Sequence, residues 1–346
     1  MMKLLDFDYY LPKEFIAQFP PAERHNSRMM IVYRERKEIM SSNFIHLPDF
    51  LQPGDMLVVN NSRVIPARLN VKHEKSGRLM ELLLTRQIQD NHWEALVKKA
   101  RYAKKGDILS IPDEDLTITV VEALKEGKRI VEFHHKGDFF TLLNKIGKVP
   151  LPPYIKRKPI TDLDRERYQT LFARISGSVA APTGGLHFSS QIINELKKRG
   201  IEFIEITLHI GPGTFRPIRS EEIEKHSMDE EYFIIPYDSA ERINAALKEG
   251  RRIIAVGTST TRALESWAIK RMQGKNNLEG WTNLFIYPGF DFHIISGLLT
   301  NFHLPKSTLL LLVSAFTGRE LILDAYKQAM REKYRFYSYG DCMLLL

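Results

Sequence analysis

Four short stretches concentrate side chains able to do chemistry. Gly211-Pro212-Gly213-Thr214-Phe215-Arg216 combines two glycines, which let backbone N–H groups approach a ligand, with a hydroxyl and a ring that can stack on a base. A plain tight turn explains the same string equally well. Thr258-Ser259-Thr260-Thr261-Arg262 offers four hydroxyl-bearing residues and a guanidinium where a helix opens, a setting suited to a carboxylate or phosphate. Helix capping accounts for one or two of those hydroxyls, not four. Ala181-Pro182-Thr183-Gly184-Gly185-Leu186-His187-Phe188 and Thr300-Asn301-Phe302-His303-Leu304-Pro305-Lys306-Ser307-Thr308 precede two further helices. His187, His209, His226 and His303 lie at or near these junctions, although a single histidine is more often a structural hydrogen-bonder than a catalyst. The tail Tyr337-Ser338-Tyr339-Gly340-Asp341 adds a carboxylate after a sharp turn.

The elements that position these loops change character along the chain. Between residues 62 and 140 the sequence reads as six short strands, 64–71, 78–86, 93–98, 107–111, 116–123 and 129–133, punctuated by turn signals such as Asp90-Asn91 and Lys105-Gly106. Regular spacing without a helix-period segment predicts a small antiparallel barrel, because closure removes exposed edges. From residue 150 strand-like runs alternate with helical ones. Ser189 or Ser190 caps a helix ending at Arg199, and 201–210 is a strand. Asp238 and Glu241 form a capping box for a helix reaching Glu249. The strand 252–257 feeds the hydroxyl loop and a helix over 262–270, followed by a strand at 284–287, a buried helix at 308–316 and a last strand at 335–339. This alternation predicts an α/β domain formed by residues 1–60 and 150–346, with residues 61–149 inserted as the barrel.

Length and composition agree with two domains: 346 residues, 43% hydrophobic and 10% aromatic, give ample material for a core. The longest apolar run, 308–316, is far short of the ~20 residues that span a bilayer. The first fifteen residues lack the apolar stretch of a secretory signal, and Cys342 is the only cysteine, so a cytoplasmic protein without disulfides is expected. The net charge of +8 is unevenly spread. Residues 1–60 carry 7 basic and 8 acidic side chains, residues 61–150 carry 17 and 12, and the rest carry 26 and 22. Lys98, Lys99, Arg101, Lys104 and Lys105 crowd one stretch around Tyr102, and Lys156-Arg157-Lys158 forms a second cluster. Either cluster suits a polyanion, or simply a solvated face. No dinucleotide glycine pattern, Walker loop, zinc-protease motif or esterase elbow occurs, and 226–231 lacks metal-ligand spacing, so no metal is expected.

Longer strings narrow this reading. Asn60-Asn61-Ser62-Arg63-Val64-Ile65-Pro66-Ala67-Arg68-Leu69, Val149-Pro150-Leu151-Pro152-Pro153-Tyr154-Ile155-Lys156-Arg157, Gly177-Ser178-Val179-Ala180-Ala181-Pro182-Thr183-Gly184-Gly185-Leu186-His187-Phe188 and Leu299-Thr300-Asn301-Phe302-His303-Leu304-Pro305 resemble one family closely. His209-Ile210-Gly211-Pro212-Gly213-Thr214-Phe215, the stretch 257–266 and Tyr334-Arg335-Phe336-Tyr337-Ser338-Tyr339-Gly340-Asp341 do the same, in the same order along the chain. The family is the S-adenosylmethionine:tRNA ribosyltransferase-isomerases of queuosine biosynthesis. The resemblance implies an α/β domain with an inserted barrel. It also implies that S-adenosylmethionine is a ribosyl donor, attached to 7-aminomethyl-7-deazaguanine at the tRNA wobble position to give epoxyqueuosine, with adenine and methionine released. Three positions depart from the family pattern: His25 in place of Asp, Asp229 in place of His and Cys342 in place of Ala, which argues against catalytic roles for residues 25 and 229.

Under that resemblance the sulfonium acidifies the ribose C5′ protons, so a base can form an ylide and expel adenine. Asp341, His209 or His187 is expected to supply the base. Thr258, Thr260 and Arg262 are expected to grip the methionine carboxylate at a helix N-terminus, and Glu265 to pair with Arg262 or with the methionine ammonium, or simply to form an i,i+3 ion pair. Thr183, Gly211, Gly213, Thr214, Phe215 and His303 complete the expected S-adenosylmethionine site, with Phe215 stacked on adenine. Arg63, Lys98, Lys99, Arg101, Lys156 and Arg157 are expected to meet tRNA, the partner of a protein acting as a monomer. S-adenosylmethionine enters as co-substrate, with no bound cofactor. Two rivals remain: a methyltransferase, which would leave S-adenosylhomocysteine, and a noncatalytic RNA-binding module, which would not need the hydroxyl and histidine loops.

Overall fold

Runs of consecutive buried residues, without polar alternation, mark strands covered on both faces. In the computed structural model, which describes residues 2–157, 162–215, 218, 220–275 and 277–346 and omits the side chains of Asp162 and Phe215, such strands form the centre of a nine-stranded mixed sheet. Three come from before the barrel: β1 (Arg28–Tyr33), β2 (Glu38–Asn43) and β3 (Met56–Asn60). β4 (Ser62–Val64) then leaves this sheet, and the chain builds a closed barrel from β5 (Arg68–His73), β6 (Leu79–Gln89), β7 (His92–Val97), β8 (Ile108–Ser110), β9 (Thr117–Ala123) and β10 (Lys128–His134). Alternating side chains such as Leu82, Trp93, Ile118 and Val131 fill it. α1 (Phe139–Ile146), capped by Asp138, sets Phe139 5.6 Å from Trp93 and 5.0 Å from Phe133, covering the barrel interior. α2 (Asp162–Arg167) follows, and β11 (Ile175–Ser178) pairs in parallel with β4.

The remaining elements alternate: α3 (Ser190–Lys198), β12 (Glu202–Leu208), β13 (Glu231–Ile234), α4 (Tyr237–Lys248), β14 (Ile253–Val256), α5 (Thr258–Met272), β15 (Glu279–Thr282), β16 (Gly297–Asn301), α6 (Thr308–Thr317), α7 (Arg319–Arg331) and β17 (Cys342–Leu345). Sheet order is β15-β13-β12-β3-β14-β16-β17-β1-β2. The central strands β12, β3, β14 and β16 run parallel, with Met56 opposite both Glu202 and Ile253. β2, β13, β15 and β17 each pair antiparallel with a neighbour. Separate buried clusters lie on the two faces of this sheet, and the barrel has its own. Mixed α/β with a six-stranded barrel is thus the observed class.

Local expectations fail in several places, each for a physical reason. The run 64–71 is two strands, broken by Pro66, which brings no N–H to a ladder. Residues 284–287 pair with no strand, because β15 lies just before them and the chain then runs beneath Arg262. Residues 335–339 form no strand either: Tyr337 has φ +73° and Gly340 packs so closely on Arg335 that a Cβ would lie 2.4 Å from its carbonyl oxygen. The strand begins only at Cys342. α4 starts after Pro236 without a side-chain cap, and Asp238 faces Arg242 at 3.6 Å in place of the expected capping box. α5 starts at Thr258, four residues earlier than expected, so the hydroxyl string is its first turn. Ser189, not Ser190, caps α3. α1, α2 and α7 have no counterpart among the expected elements.

Candidate active site

β14 ends at Val256 and the chain turns through Gly257, at φ +95°, into α5. Gly184 fits against this turn because it lacks a side chain: a Cβ there would lie 3.0 Å from the Gly257 nitrogen and 3.1 Å from the Leu299 carbonyl oxygen. The turn over Thr183–His187, the start of α5, the end of β16 and the 337–338 turn thereby surround a cleft with about 750 Å³ of empty space, partly open to solvent. It lies beyond the carboxyl ends of β14 and β16, where an open α/β sheet presents loops and helix N-termini.

Arg262 is the buried cation of this cleft, 4% exposed. Its Nη1 donates to Glu231 Oε2 and its Nε to the Leu284 carbonyl at 3.0 Å, while Nη2 has no hydrogen-bond partner among the described residues. Glu231, equally buried, also accepts from the Gly211 N–H at 2.9 Å and from Thr214 Oγ1 at 3.2 Å. One carboxylate therefore ties the glycine turn to the guanidinium. Of the α5 hydroxyls, Thr260 and Thr261 bond back to the Val256 and Gly257 carbonyls just before the helix, leaving Thr258 and Ser259 as the ones lining the cleft. His303 lines it too, paired through Nε2 with Thr300 Oγ1 at 2.9 Å; burial pushes its pKa down to about 3, so the ring is neutral. Thr183 completes this face. Gly213 lies in the same turn as Thr214, against Asp229, and the Phe215 ring lies outside the description.

The three expected bases sit elsewhere, each within a structural network. Asp341 is 3% exposed and accepts from the Arg28 and Arg335 N–H groups, both at 2.8 Å, which ties β1 to the tail turn; burial raises its pKa and these donors oppose the rise. His209 bonds Ser62 Oγ through Nδ1 at 2.8 Å with its ring against Gly177, and burial lowers its pKa to about 4. His187 is buried behind the cleft wall, bonded to Ser27 Oγ at 2.7 Å and to Asn301 Nδ2 at 3.1 Å, and burial lowers its pKa to about 4 as well. Glu265 does not pair with Arg262. It accepts from the N–H groups of His293, Ile294 and Ile295 and fixes that loop; burial raises its pKa against those bonds.

Sequence reasoning missed Glu231, Asn301, Tyr154 and Tyr337 as site residues. Glu231 had a signal: it shares the buried face of β13 with Phe233, in period-two phase, and an acid in phase with core residues needs a partner.

On the barrel, Lys98 and Lys99 are exposed beside a shallow groove, and Arg101 is exposed over Tyr102 at 4.7 Å, with Arg78 over the same ring at 3.7 Å. Arg63 is exposed at a groove shared with Phe140 and Arg165, between β4, α1 and α2, and donates to the Ala173 carbonyl. Lys156 is exposed. Arg157 is not available in the same way: it forms a two-pronged pair with fully buried Asp164 and donates to the Gln18 carbonyl at 2.7 Å. Lys158 lies outside the described residues. Among the described residues no three His, Cys, Asp or Glu side chains group as metal ligands, and no helix is long and apolar enough to cross a membrane.

A model of the queuosine biosynthesis protein family matches residues 4–345. The chain belongs to that family. It is 48% identical over 345 residues to the S-adenosylmethionine:tRNA ribosyltransferase-isomerase of Halothermothrix orenii, and 51% identical over 345 residues to the protein of the same name from Carboxydothermus hydrogenoformans; both matches cover 100% of each chain. Among solved structures, an S-adenosylmethionine tRNA ribosyltransferase from Thermotoga maritima is 35% identical, with a TM-score of 0.56 over 99% of this chain and 100% of that one. Full-length matches of this kind bring the cleft and the barrel into one family context.

Proposed function

We propose that this family member transfers and isomerises the ribosyl group of S-adenosylmethionine onto 7-aminomethyl-7-deazaguanine at the tRNA wobble position, giving epoxyqueuosine-tRNA with release of adenine and methionine. The observation that carries the reading is Arg262: a guanidinium buried one turn into a 15-residue helix, in a residue that lines the cleft, with one nitrogen held by Glu231 and another without a partner among the described residues. A carboxylate completes that arrangement electrostatically, and the methionine end of the co-substrate carries one. Thr258 and Ser259 hydroxyls lie in the same cleft wall, and Thr214 stands opposite on Glu231. On this reading proton abstraction from the ribose C5′ gives an ylide, adenine leaves as the ring opens, the substrate amine adds to the resulting aldehyde, and ring closure expels methionine. The exposed cations Lys98, Lys99, Arg101, Lys156 and Arg63 fit tRNA phosphates, with a cytoplasmic monomer as the working form.

The deciding experiment incubates purified protein with S-adenosylmethionine and precursor-bearing tRNA and separates the products. Free adenine and methionine, formed only with the tRNA, are expected. S-adenosylhomocysteine in their place would identify a methyltransferase, and tRNA binding with no turnover a noncatalytic module.

A further inference from the structure

Asn301 stands at the end of β16, where its side chain joins two otherwise separate parts of the site. Its orientation is fixed by a chain of hydrogen bonds. Ser27 Oγ donates to the Arg24 carbonyl (3.4 Å) and so offers a lone pair to His187 Nδ1 at 2.7 Å. The neutral ring then carries its proton on Nδ1, which leaves Nε2 as an acceptor for Asn301 Nδ2 at 3.1 Å. The second Nδ2 hydrogen goes to the Tyr337 carbonyl at 3.0 Å. Both amide donors are thereby used, and Oδ1, buried in a residue that lines the cleft, has no partner among the described residues.

Tyr337 completes the pattern. Its backbone holds φ +73°, a region L side chains rarely adopt, and the Asn301 contact to its carbonyl braces that conformation. The ring lies 4.3 Å from that of Tyr154 and lines the same cleft, and its hydroxyl is a second buried polar atom without a partner among the described residues. Burial raises the phenol pKa, so it keeps its proton. An oriented acceptor and a neutral hydroxyl, on two residues that line one cleft, complement the paired hydroxyls of a neutral diol, one donating and one accepting, whereas the charged Arg262 suits an anion.

We infer that Asn301 and Tyr337 form a subsite that reads the vicinal hydroxyls of a ribose, and that His187 is a positioning residue that turns the Asn301 carbonyl toward them. This rests on the proposal that the cleft takes S-adenosylmethionine. It gives buried His187 a role that requires no proton transfer, and it makes the ribose a determinant of recognition.

Calorimetric binding of S-adenosylmethionine and its 2′-deoxy and 3′-deoxy counterparts tests this without turnover. Wild type is expected to bind at least one deoxy ligand about tenfold more weakly, and Tyr337→Phe to lose about three- to tenfold for S-adenosylmethionine but nothing further for the ligand lacking the matching hydroxyl. Tyr337→Phe removes one oxygen that has no partner among the described residues, so its melting temperature without ligand should hold or rise, which keeps the test free of misfolding. His187→Gln, whose side-chain carbonyl can still accept from Asn301, should bind more like wild type than His187→Leu. Equal binding of all three ligands by wild type, or an equal loss on all three in Tyr337→Phe, would overturn the ribose subsite. Failure of wild type to bind S-adenosylmethionine at all would instead overturn the reading of the cleft on which it stands.

Discussion

Arg262 and Glu231 form a buried ion pair whose cost is offset only while both members remain. Arg262→Ala leaves a carboxylate, 4% exposed, with only the Gly211 N–H and the Thr214 hydroxyl among the described residues, and should lower unfolding free energy by about 3–5 kcal/mol. Arg262→Lys keeps a charge near Glu231 but cannot also reach the Leu284 carbonyl and the cleft, so its S-adenosylmethionine affinity should fall while the fold persists. Urea titration and calorimetry of the two variants separate these effects. If Arg262→Lys bound like wild type, a carboxylate grip that depends on the guanidinium would be wrong. His187 supplies a second prediction at this scale. Its pKa falls from 6.5 in the unfolded chain to about 4 in the fold, so the unfolded state binds the extra proton. The stabilisation is whole above pH 6.5 and is lost as pH falls toward 4, by roughly 3 kcal/mol at most for a shift of this size. Asp341 and Glu265, whose pKa values burial raises, act in the opposite sense, so the readout is the difference between proteins. His187→Gln should show a shallower decline in stability between pH 6.5 and 4 than wild type, measured by urea midpoints across that range.

At the scale of elements, the cleft exists because three backbones approach at one place: the turn containing Gly184, the Gly257 entry to α5 and the end of β16. Gly184→Ala puts a methyl about 3 Å from backbone atoms on two of them, and backbone cannot move aside as a flexible side chain can. The variant should lose stability, by roughly 1–3 kcal/mol in the range typical of overpacking, and lose S-adenosylmethionine affinity as α5 is displaced. A melting curve with and without ligand reads both, and unchanged ligand stabilisation would remove Gly184 from the account. Such approaches also show what was legible in the sequence. The barrel strands announced themselves by period-two alternation between turn signals, β14 by an apolar run ended by glycine, α6 by an apolar run, and α5 as a helix following the hydroxyl string. The cleft loops were legible as strings of hydroxyls, glycines and histidines, and Arg262, Thr214, Thr258 and His303 do meet there. Which histidine faces the cleft was not legible, because His187 and His303 occupy similar positions at strand-to-helix junctions and differ only in what packs around them. Glu231 joins Arg262 across 31 residues, and Asn301 joins His187 across 114, pairings that depend on sheet order and leave no local pattern.

For the whole molecule, the barrel meets the α/β layer near the site itself. Arg86 on β6 reaches Glu230 at 3.5 Å and lies 4.6 Å over the Trp281 ring, beside the strand that carries Glu231. The excess charge is divided between two kinds of cation. Lys98, Lys99 and Arg101 stand exposed on the barrel, whereas Arg157 is held by Asp164, which the Tyr339 hydroxyl also contacts at 3.2 Å. These should respond differently to neutralisation. If the exposed triplet contacts tRNA phosphates, Lys98→Gln, Lys99→Gln and Arg101→Gln together should weaken binding and reduce the salt slope of log K against log[salt] by about 2, each lost contact releasing less than one counterion. Melting temperature should hardly change, since none of the three joins an ion pair among the described residues. Arg157→Gln should do the reverse: it leaves fully buried Asp164 without its guanidinium, so stability should fall by about 3–5 kcal/mol while the slope per folded molecule changes little. Filter binding of tRNA at several salt concentrations, with melting curves on the same preparations, distinguishes the two. An unchanged slope in the triple variant would move the RNA-binding face away from this part of the barrel and toward Lys156 or toward Arg63, at the groove where β4, α1 and α2 meet.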